Sequence, residues 1–512
     1  MVNAPIAASR SVGPDRNRLA LEQVLLRHPA VKAAAVFAND VAFVIPDEDW
    51  LRSQPGRSTD GATLARWQKT YDLNQSSRAA HSASPGFNIV GWDSTYTRQP
   101  LPADHMQEWI GVTVDSILEL RPTALYEIGC GSGLLLTRVA PHCERYVGID
   151  FSHEVIARVQ EQLQATPALA DHVALMQRRA DNFEGLDAGS FDTIVINSVV
   201  QYFPGLDYLT QVLENAVRLV RPGGRVFIGD VRSLPLLPAF AASVELFQAE
   251  DGIDLAELRA RTRRRLRITP ELVLSPAYFL ALPRQLPSIS GVEIRPRLGR
   301  TDNEMTRYRY NAILHIGRAS EPALDVPFET WPADRKPSRI ASLLRDRHEP
   351  FGIAGIPNAR IEKDVVALDL LNRPEAPPTV AALRHALEQL PARGIHPQDL
   401  SDLAASAGNR VFLSWAACHR DGSYDALFVP DAVAVPHPPV LRWPQPEPSS
   451  FVRVSNHPGQ TRLRADLVQR LLTHCQGNPQ ASFPRRIVLV DALPATAETA
   501  TGFDETPEFQ FE

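Results

Sequence analysis

Between Ala124 and Asp150 the chain reads ALYEIGCGSGLLLTRVAPHCERYVGID: a short apolar run, a glycine-rich turn, a helical stretch and a second apolar run ending in an acid. The first run, Ala124 to Ile128, predicts a buried strand of a parallel sheet. Gly129, Gly131 and Gly133 let the backbone turn tightly and approach a ligand closely. A helix is predicted to start near Leu134. Asp150, about twenty residues beyond the turn, ends the next strand, where its carboxylate can accept both hydroxyls of a ribose. The pattern is half of a nucleotide-binding βαβ unit, and it predicts a ligand that carries a nucleoside.

Three further patterns follow in the order such a fold requires. RRADNF (Arg178 to Phe183) places Asp181 beyond a third strand. FDTIVINSVVQYF (Phe191 to Phe203) reads as a fourth strand with Asn197, Ser198, Gln201 and Tyr202 at its carboxyl end. LVRPGGRVFIGDV (Leu219 to Val231) reads as a helix end, a Pro-Gly-Gly turn and a fifth strand. Ligands of open α/β sheets lie outside the carboxyl ends of the strands, so these segments are predicted to converge on one crevice.

The spacing G-x-G-x-G and the acid Glu127, two residues before the first glycine, separate this turn from the G-x-G-x-x-G of dinucleotide enzymes. A carboxylate there repels a pyrophosphate and suits an ammonium. In these features the segment resembles the first motif of class I S-adenosylmethionine methyltransferases. The resemblance implies a Rossmann-like, doubly wound α/β fold with a predominantly parallel seven-stranded sheet. It implies an S-adenosylmethionine site lined by Glu127, Gly129, Cys130, Gly131, Gly133, Asp150, Phe151, Asp181, Asn182, Phe183, Asn197 and Ser198, with Asp181 near the adenine amino group.

Bulk properties agree with a large soluble enzyme. The chain has 512 residues, 44% hydrophobic and 22% charged, enough for two to four domains and a substantial core. A formal charge of −6 argues against nucleic acid as the main partner. RARTRRRLR (Arg259 to Arg267) is a basic cluster that reads as a solvated helix face or a docking site for an acidic partner. The four cysteines, Cys130, Cys143, Cys418 and Cys475, lack metal-ligand spacing and predict reduced thiols and no metal site. The first residues resemble neither a signal peptide nor a membrane span, which predicts a cytoplasmic protein. Of 43 prolines, several crowd into Phe428 to Ser450, read as an extended linker and a domain boundary.

The flanks narrow the resemblance. GFNIVGWDSTYT (Gly86 to Thr97), LPADHMQEWI from Leu101, IGDVRSLPLL (Ile228 to Leu237), NEMTRYRYN (Asn303 to Asn311), PNAR (Pro357 to Arg360) and Val411 to Pro430 resemble methyltransferases inserted into adenylation domains of nonribosomal peptide synthetases. Leu19 to Pro46 and Phe483 to Pro494 resemble the start and end of an adenylation domain's small carboxyl-terminal subdomain. The resemblance implies a split α+β subdomain at 1–60 and 451–512, a methyltransferase domain at 61–320, an α/β extension at 321–430 and a linker at 431–450. Nothing like the adenylation phosphate loop is present, and PATAETATGF, with Ala500, stands where the family usually carries a lysine. Adenylation by this chain alone is therefore not expected.

For methyl transfer the chain must align an acceptor with the sulfonium methyl and, for an amine, keep it neutral. Asn197 and Gln201 can orient a nucleophile or cap the helix after the strand. Tyr202 can bond substrate or pack. Asp230 and Arg232 can form an ion pair bordering the crevice. Trp92 and Tyr96 can belong to the cofactor site as an aromatic lid over the sulfonium, or pack the amino-terminal helix on the sheet. Glu304 is either a base or structural. Ala241 stands where many relatives have a histidine, and Asn311 where they have an aspartate. The expected acceptor is the α-amine of an aminoacyl or peptidyl thioester on a carrier protein, possessed by a synthetase in trans; a released small molecule, or a non-catalytic docking subunit, are the other readings.

Overall fold

The computed structural model describes residues 14–37, 41–47, 50–51, 67–68, 87–317, 326–331, 337–391, 393–433, 442–444, 446, 453–456, 458–477, 484–490 and 493. The chain forms two compact units, Met1–Gly61 with His457–Glu512, and Ala62–Asn456. In the smaller unit β1 (Val31–Phe37) and β2 (Val41–Pro46) pair antiparallel, and β14 (Arg486–Leu489) pairs parallel to β2. Leu21, Leu25 and Val44 meet Leu467 and Leu471 of the helix Pro458–Gln476 in its core, so residues from both ends of the chain share one interior.

The larger unit is built on a seven-stranded sheet. β3 (Ala124–Ile128), β4 (Arg145–Asp150), β5 (Val173–Gln177), β6 (Phe191–Asn197) and β7 (Val220–Arg232) run parallel, and β9 (Arg309–Ile316) lies antiparallel between β7 and β8 (Ile289–Pro296). The order is β5-β4-β3-β6-β7-β9-β8. Leaving β3, the chain turns back on one side to β4 and later crosses to β6 on the other, which opens a crevice at their carboxyl ends. β6 is buried at every position, as a central strand covered on both faces must be. One face packs on the helices Leu206–Leu219 and Pro276–Gln285, the other on the helix Ala103–Leu118.

The helix predicted from Leu134 is a single turn, Leu136–Val139, continued by a 3₁₀ turn to His142, because Pro141 cannot donate to an α-helical ladder. A four-stranded sheet, β10 (Phe328–Thr330), β11 (Phe351–Ile356), β13 (Tyr424–Pro430) and β12 (Asn409–Ser414), follows in the order β10-β11-β13-β12. It shares its core with the large sheet, and Trp415 donates its backbone N–H to the Ile294 carbonyl of β8 at 3.0 Å. Arg360 of PNAR, 5% exposed, ties the two parts by donating to the carbonyls of Arg297 (2.6 Å) and Thr306 (3.2 Å).

Most of the Pro-rich stretch 431–450 lies outside the described residues; within it Trp443 is buried against Phe328. The unit boundary falls at Asn456, whose side chain accepts from Val273 N–H at 2.8 Å and donates to the Glu271 carbonyl at 2.8 Å. All four cysteines are buried free thiols. Among the described residues no helix is long and apolar enough to cross a membrane.

Candidate functional site

The turn after β3 is clipped to the end of β4. Gly129 and Cys130 both donate backbone N–H groups to the Ile149 carbonyl, at 2.8 and 2.9 Å. Gly129 has φ +76°, and a Cβ there would lie 2.4 Å from a Val199 methyl, so both conformation and space demand glycine. Gly131 and Gly133 also have positive φ. The Gly131 N–H donates to Asp150 Oδ2 at 3.1 Å, and Ser152 N–H donates to Oδ1 at 2.9 Å. Ser152 in turn caps the helix His153–Gln164. Asp150 is thus aimed by the same turn that forms the cradle.

Glu127 projects from β3 beside it, 2% exposed. Burial raises its carboxyl, the Tyr146 hydroxyl donating at 2.5 Å works against that rise and the Asp150 charge adds to it, leaving the group at about 7. Among the described residues no arginine or lysine pairs with Glu127. Burial also pushes the Cys130 thiol well above its ordinary value, so this sulfur is a packing group and not a nucleophile.

The other residues expected around a nucleoside are spread along the same edge. Phe183 is 7% exposed and faces Tyr126 with ring centroids 6.4 Å apart. Asp181 takes a two-pronged bond from Arg179 (3.1 and 2.8 Å), and Asn182 accepts from Glu184 N–H, so both are engaged within their own loop. The Phe151 carbonyl accepts from Gln177 (3.2 Å) and from Gln68 (3.1 Å). Trp67, next to Gln68, packs edge-on against Tyr202 at 4.9 Å, so these two residues reach from the end of β4 to the segment after β6.

At the ends of β6 and β7 the chain is strained: Ser198 (φ +57°) and Asp230 (φ +62°) are non-glycine residues in the left-handed region. Asp230 is fully buried. It receives the Ser198 hydroxyl (2.7 Å), the Trp109 indole N–H (3.2 Å) and Arg309 (2.5 Å), with Arg297 at 3.7 Å. Asn311 accepts the Asp230 backbone N–H at 3.0 Å. The expected ion pair between Asp230 and Arg232 is corrected here. A register shift between Ile228 and Val231 breaks the strand's alternation, so Asp230 turns to Arg309 while Arg232 pairs with Glu271.

Asn197 and Gln201 do not cap the next helix, whose N-terminal boundary residue is Gly205 with no side-chain cap. Their amide nitrogens bond around Ser198 (3.4 and 3.0 Å), and their oxygens Oδ1 and Oε1 are buried with no hydrogen-bond partner among the described residues. Gly229 makes room for Asn197: a Cβ there would sit 2.1 Å from its oxygen. Tyr202 is 40% exposed.

Trp92 packs against Trp109 at 4.7 Å. Tyr96 bonds Ser243 at 2.7 Å within a chain of hydroxyls that runs through Tyr308 to Asp364. Glu304 accepts from Thr95 N–H (2.9 Å), the Thr95 hydroxyl (2.8 Å) and Ser94 (3.4 Å), anchoring this loop to the wall. Ala241 is buried at 1% exposure. Sequence reasoning missed Trp109, Arg297 and Arg309. Trp109, inside the LPADHMQEWI run, and Arg309, inside NEMTRYRYN, left a signal; Arg297 left none.

The residues fit a ligand that brings positive charge and hydroxyl donors: two adjacent buried carboxylates, a turn opened by glycine for close backbone approach, and, after the end of β6, two buried amide oxygens with no hydrogen-bond partner among the described residues. Comparisons with known proteins give the family. Residues 126–226 match a methyltransferase domain family. The chain is 37% identical to chondramide synthase of Chondromyces crocatus over 93% of its own length and 13% of that protein's. It is 32% identical to a nonribosomal peptide synthetase, asqK, of Emericella nidulans over 80% of its length and 16% of that protein's. The chain thus spans less than a fifth of either relative. Among solved structures, N-methyltransferase NodS of Bradyrhizobium japonicum with S-adenosyl-L-homocysteine is 20% identical, covering 40% of this chain and 85% of that one with a TM-score of 0.28. A likeness of that size bears no weight beside the strand order itself.

Proposed function

The chain carries a methyltransferase domain resembling those built into nonribosomal peptide synthetases, and from that premise we propose that it methylates the α-amine of an aminoacyl or peptidyl thioester held on a carrier protein. The methyl group comes from S-adenosylmethionine. A nitrogen–carbon bond forms as the carbon–sulfur bond breaks, S-adenosylhomocysteine leaves, and the proton of the new ammonium passes to solvent. Asp150 would hold the ribose hydroxyls, and Glu127 the positive end of the ligand. The observation that carries the reading is the pairing of these two carboxylates at the ends of adjacent central strands, fixed by the glycine turn.

On the acceptor side, the buried oxygens of Asn197 and Gln201 can accept the N–H bonds of a neutral amine and turn its lone pair toward the methyl. Asp230 brings no net negative charge, because Arg309 and Arg297 flank it, so the site does not favour the unreactive ammonium. Ser198, held by Asp230, positions both amides. Incubation with S-adenosylmethionine and either an alanyl carrier protein or free alanine tests the reading. The expected result is one methyl group on the carrier-bound amine, read by mass spectrometry; methylation of free alanine alone would replace it with a released-substrate reading.

A further inference from the structure

The basic run of the sequence forms the helix Leu255–Arg267, whose inner face buries Leu255, Leu258 and Thr262. Its arginines divide into two sets. Arg259 donates to the Leu371 carbonyl (2.8 Å), Arg261 pairs with Glu257 (2.6 Å) and Arg265 with Glu245 (2.6 Å), and these hold the helix in place. Arg263 and Arg264 point outward, exposed, and among the described residues they enter no ion pair or hydrogen bond; Arg267 is exposed on the same face, four residues from Arg263. Ile268, at 42% exposure, follows directly, and Phe247, at 57%, stands on the adjoining helix Leu237–Gln248. Cations in a last helical turn offset the helix dipole, but that effect needs neither two adjacent unpaired arginines nor an exposed isoleucine just after them.

The position of this face gives it meaning. Three residues after Ile268, Glu271 pairs with Arg232, and Leu272 donates its backbone N–H to the Gln201 carbonyl at 2.8 Å. The basic end of the helix is therefore joined to the acceptor wall of the crevice by a short, anchored segment. In a chain of net charge −6 two adjacent exposed arginines without a partner among the described residues, joined to the crevice wall in this way, fit an acidic partner that must bring its cargo there. We propose that Arg263 and Arg264, with Ile268, form the docking surface for an acidic carrier protein that delivers the acceptor. This inference rests on the carrier-bound reading above and adds the surface that reading requires.

The test uses the full chain and its double charge reversal, Arg263→Glu with Arg264→Glu, both exposed and outside the site. The probe is a fluorescent acidic carrier protein with a phosphopantetheine arm bearing alanine, and the control is a soluble alanyl thioester. Charge reversal is expected to weaken carrier binding by about tenfold or more in anisotropy titrations. KM for the carrier-bound substrate rises equally, and turnover of the soluble thioester stays unchanged. Raising salt from about 50 to 300 mM weakens the wild type and leaves the variant nearly unmoved. Equal carrier binding by both proteins overturns the docking surface, whether or not methylation occurs. Salt-sensitive carrier binding without methylation of either thioester would leave the surface standing and sink the carrier-bound reading instead.

Discussion

The two halves of the crevice bury their acids in opposite ways. At the ends of β3 and β4, Glu127 meets a phenol and lies beside Asp150, and its carboxyl rises to about 7. At the ends of β6 and β7, Asp230 is buried still more completely but is clamped by Arg309, Arg297, Trp109 and Ser198. Burial alone therefore does not identify a binding acid. The partners do: an acid without a cation is poised to take one from a ligand, and an acid saturated by guanidinium is a brace.

The contrast can be broken most forcefully on the braced side. Arg309→Ala strips the nearest cation from Asp230 and is expected to destabilise the larger unit by about 3 kcal/mol, at the low end for a broken buried pair because Arg297 remains. Urea denaturation followed by tryptophan fluorescence measures it; an unchanged midpoint would mean the clamp carries no load.

On the poised side the sign reverses. A carboxyl near 7 in the folded chain and near 4.5 when unfolded holds its proton better when folded. Its stabilising contribution is full below about pH 4.5 and is lost as pH rises through 7. Glu293 does the opposite: burial would raise it, but Arg295 and His315 outweigh burial and hold it at about 2, so its window lies lower. Glu127→Gln is thus expected to stabilise the ligand-free protein by about 2 kcal/mol at pH 8 and hardly at pH 4, while weakening S-adenosylmethionine binding. Thermal melts at the two pH values check this, and equal shifts at both would show that Glu127 is ionised throughout.

Smaller effects sharpen the account on the acceptor side. Asn197→Ala removes one orphaned oxygen and is expected to cut kcat about tenfold with S-adenosylmethionine affinity unchanged. Tyr202→Phe, at a half-exposed ring, is expected to change kcat/KM by less than about threefold. A larger loss in the second than in the first would move the orienting role to the phenol.

How far the sequence revealed this site follows from the distances involved. The turn, Glu127 and Asp150 lie within one βαβ unit, where glycine spacing and strand ends dictate their positions, and four of the five parallel strands follow from their apolar runs, β5 only from the RRADNF segment after it. The Asp230 clamp draws Trp109, Arg297 and Arg309 from three remote segments, and no local spacing joins them. Closeness in sequence at the end of the fifth strand suggested Arg232 as the partner of Asp230, and the bulge at Gly229 and Asp230 sends the two to different partners. Glu304 illustrates the same limit: its partners Ser94 and Thr95 lie some two hundred residues away in sequence.

The central claim, that the carboxylates at the ends of β3 and β4 form an S-adenosylmethionine site, is tested most directly by isothermal titration calorimetry of the full chain and Asp150→Ala. The account predicts one-site binding by the native protein, weakened about a hundredfold in the variant through loss of two charge-assisted hydrogen bonds. Equal affinity in both proteins, or no binding by a folded native chain, would contradict it.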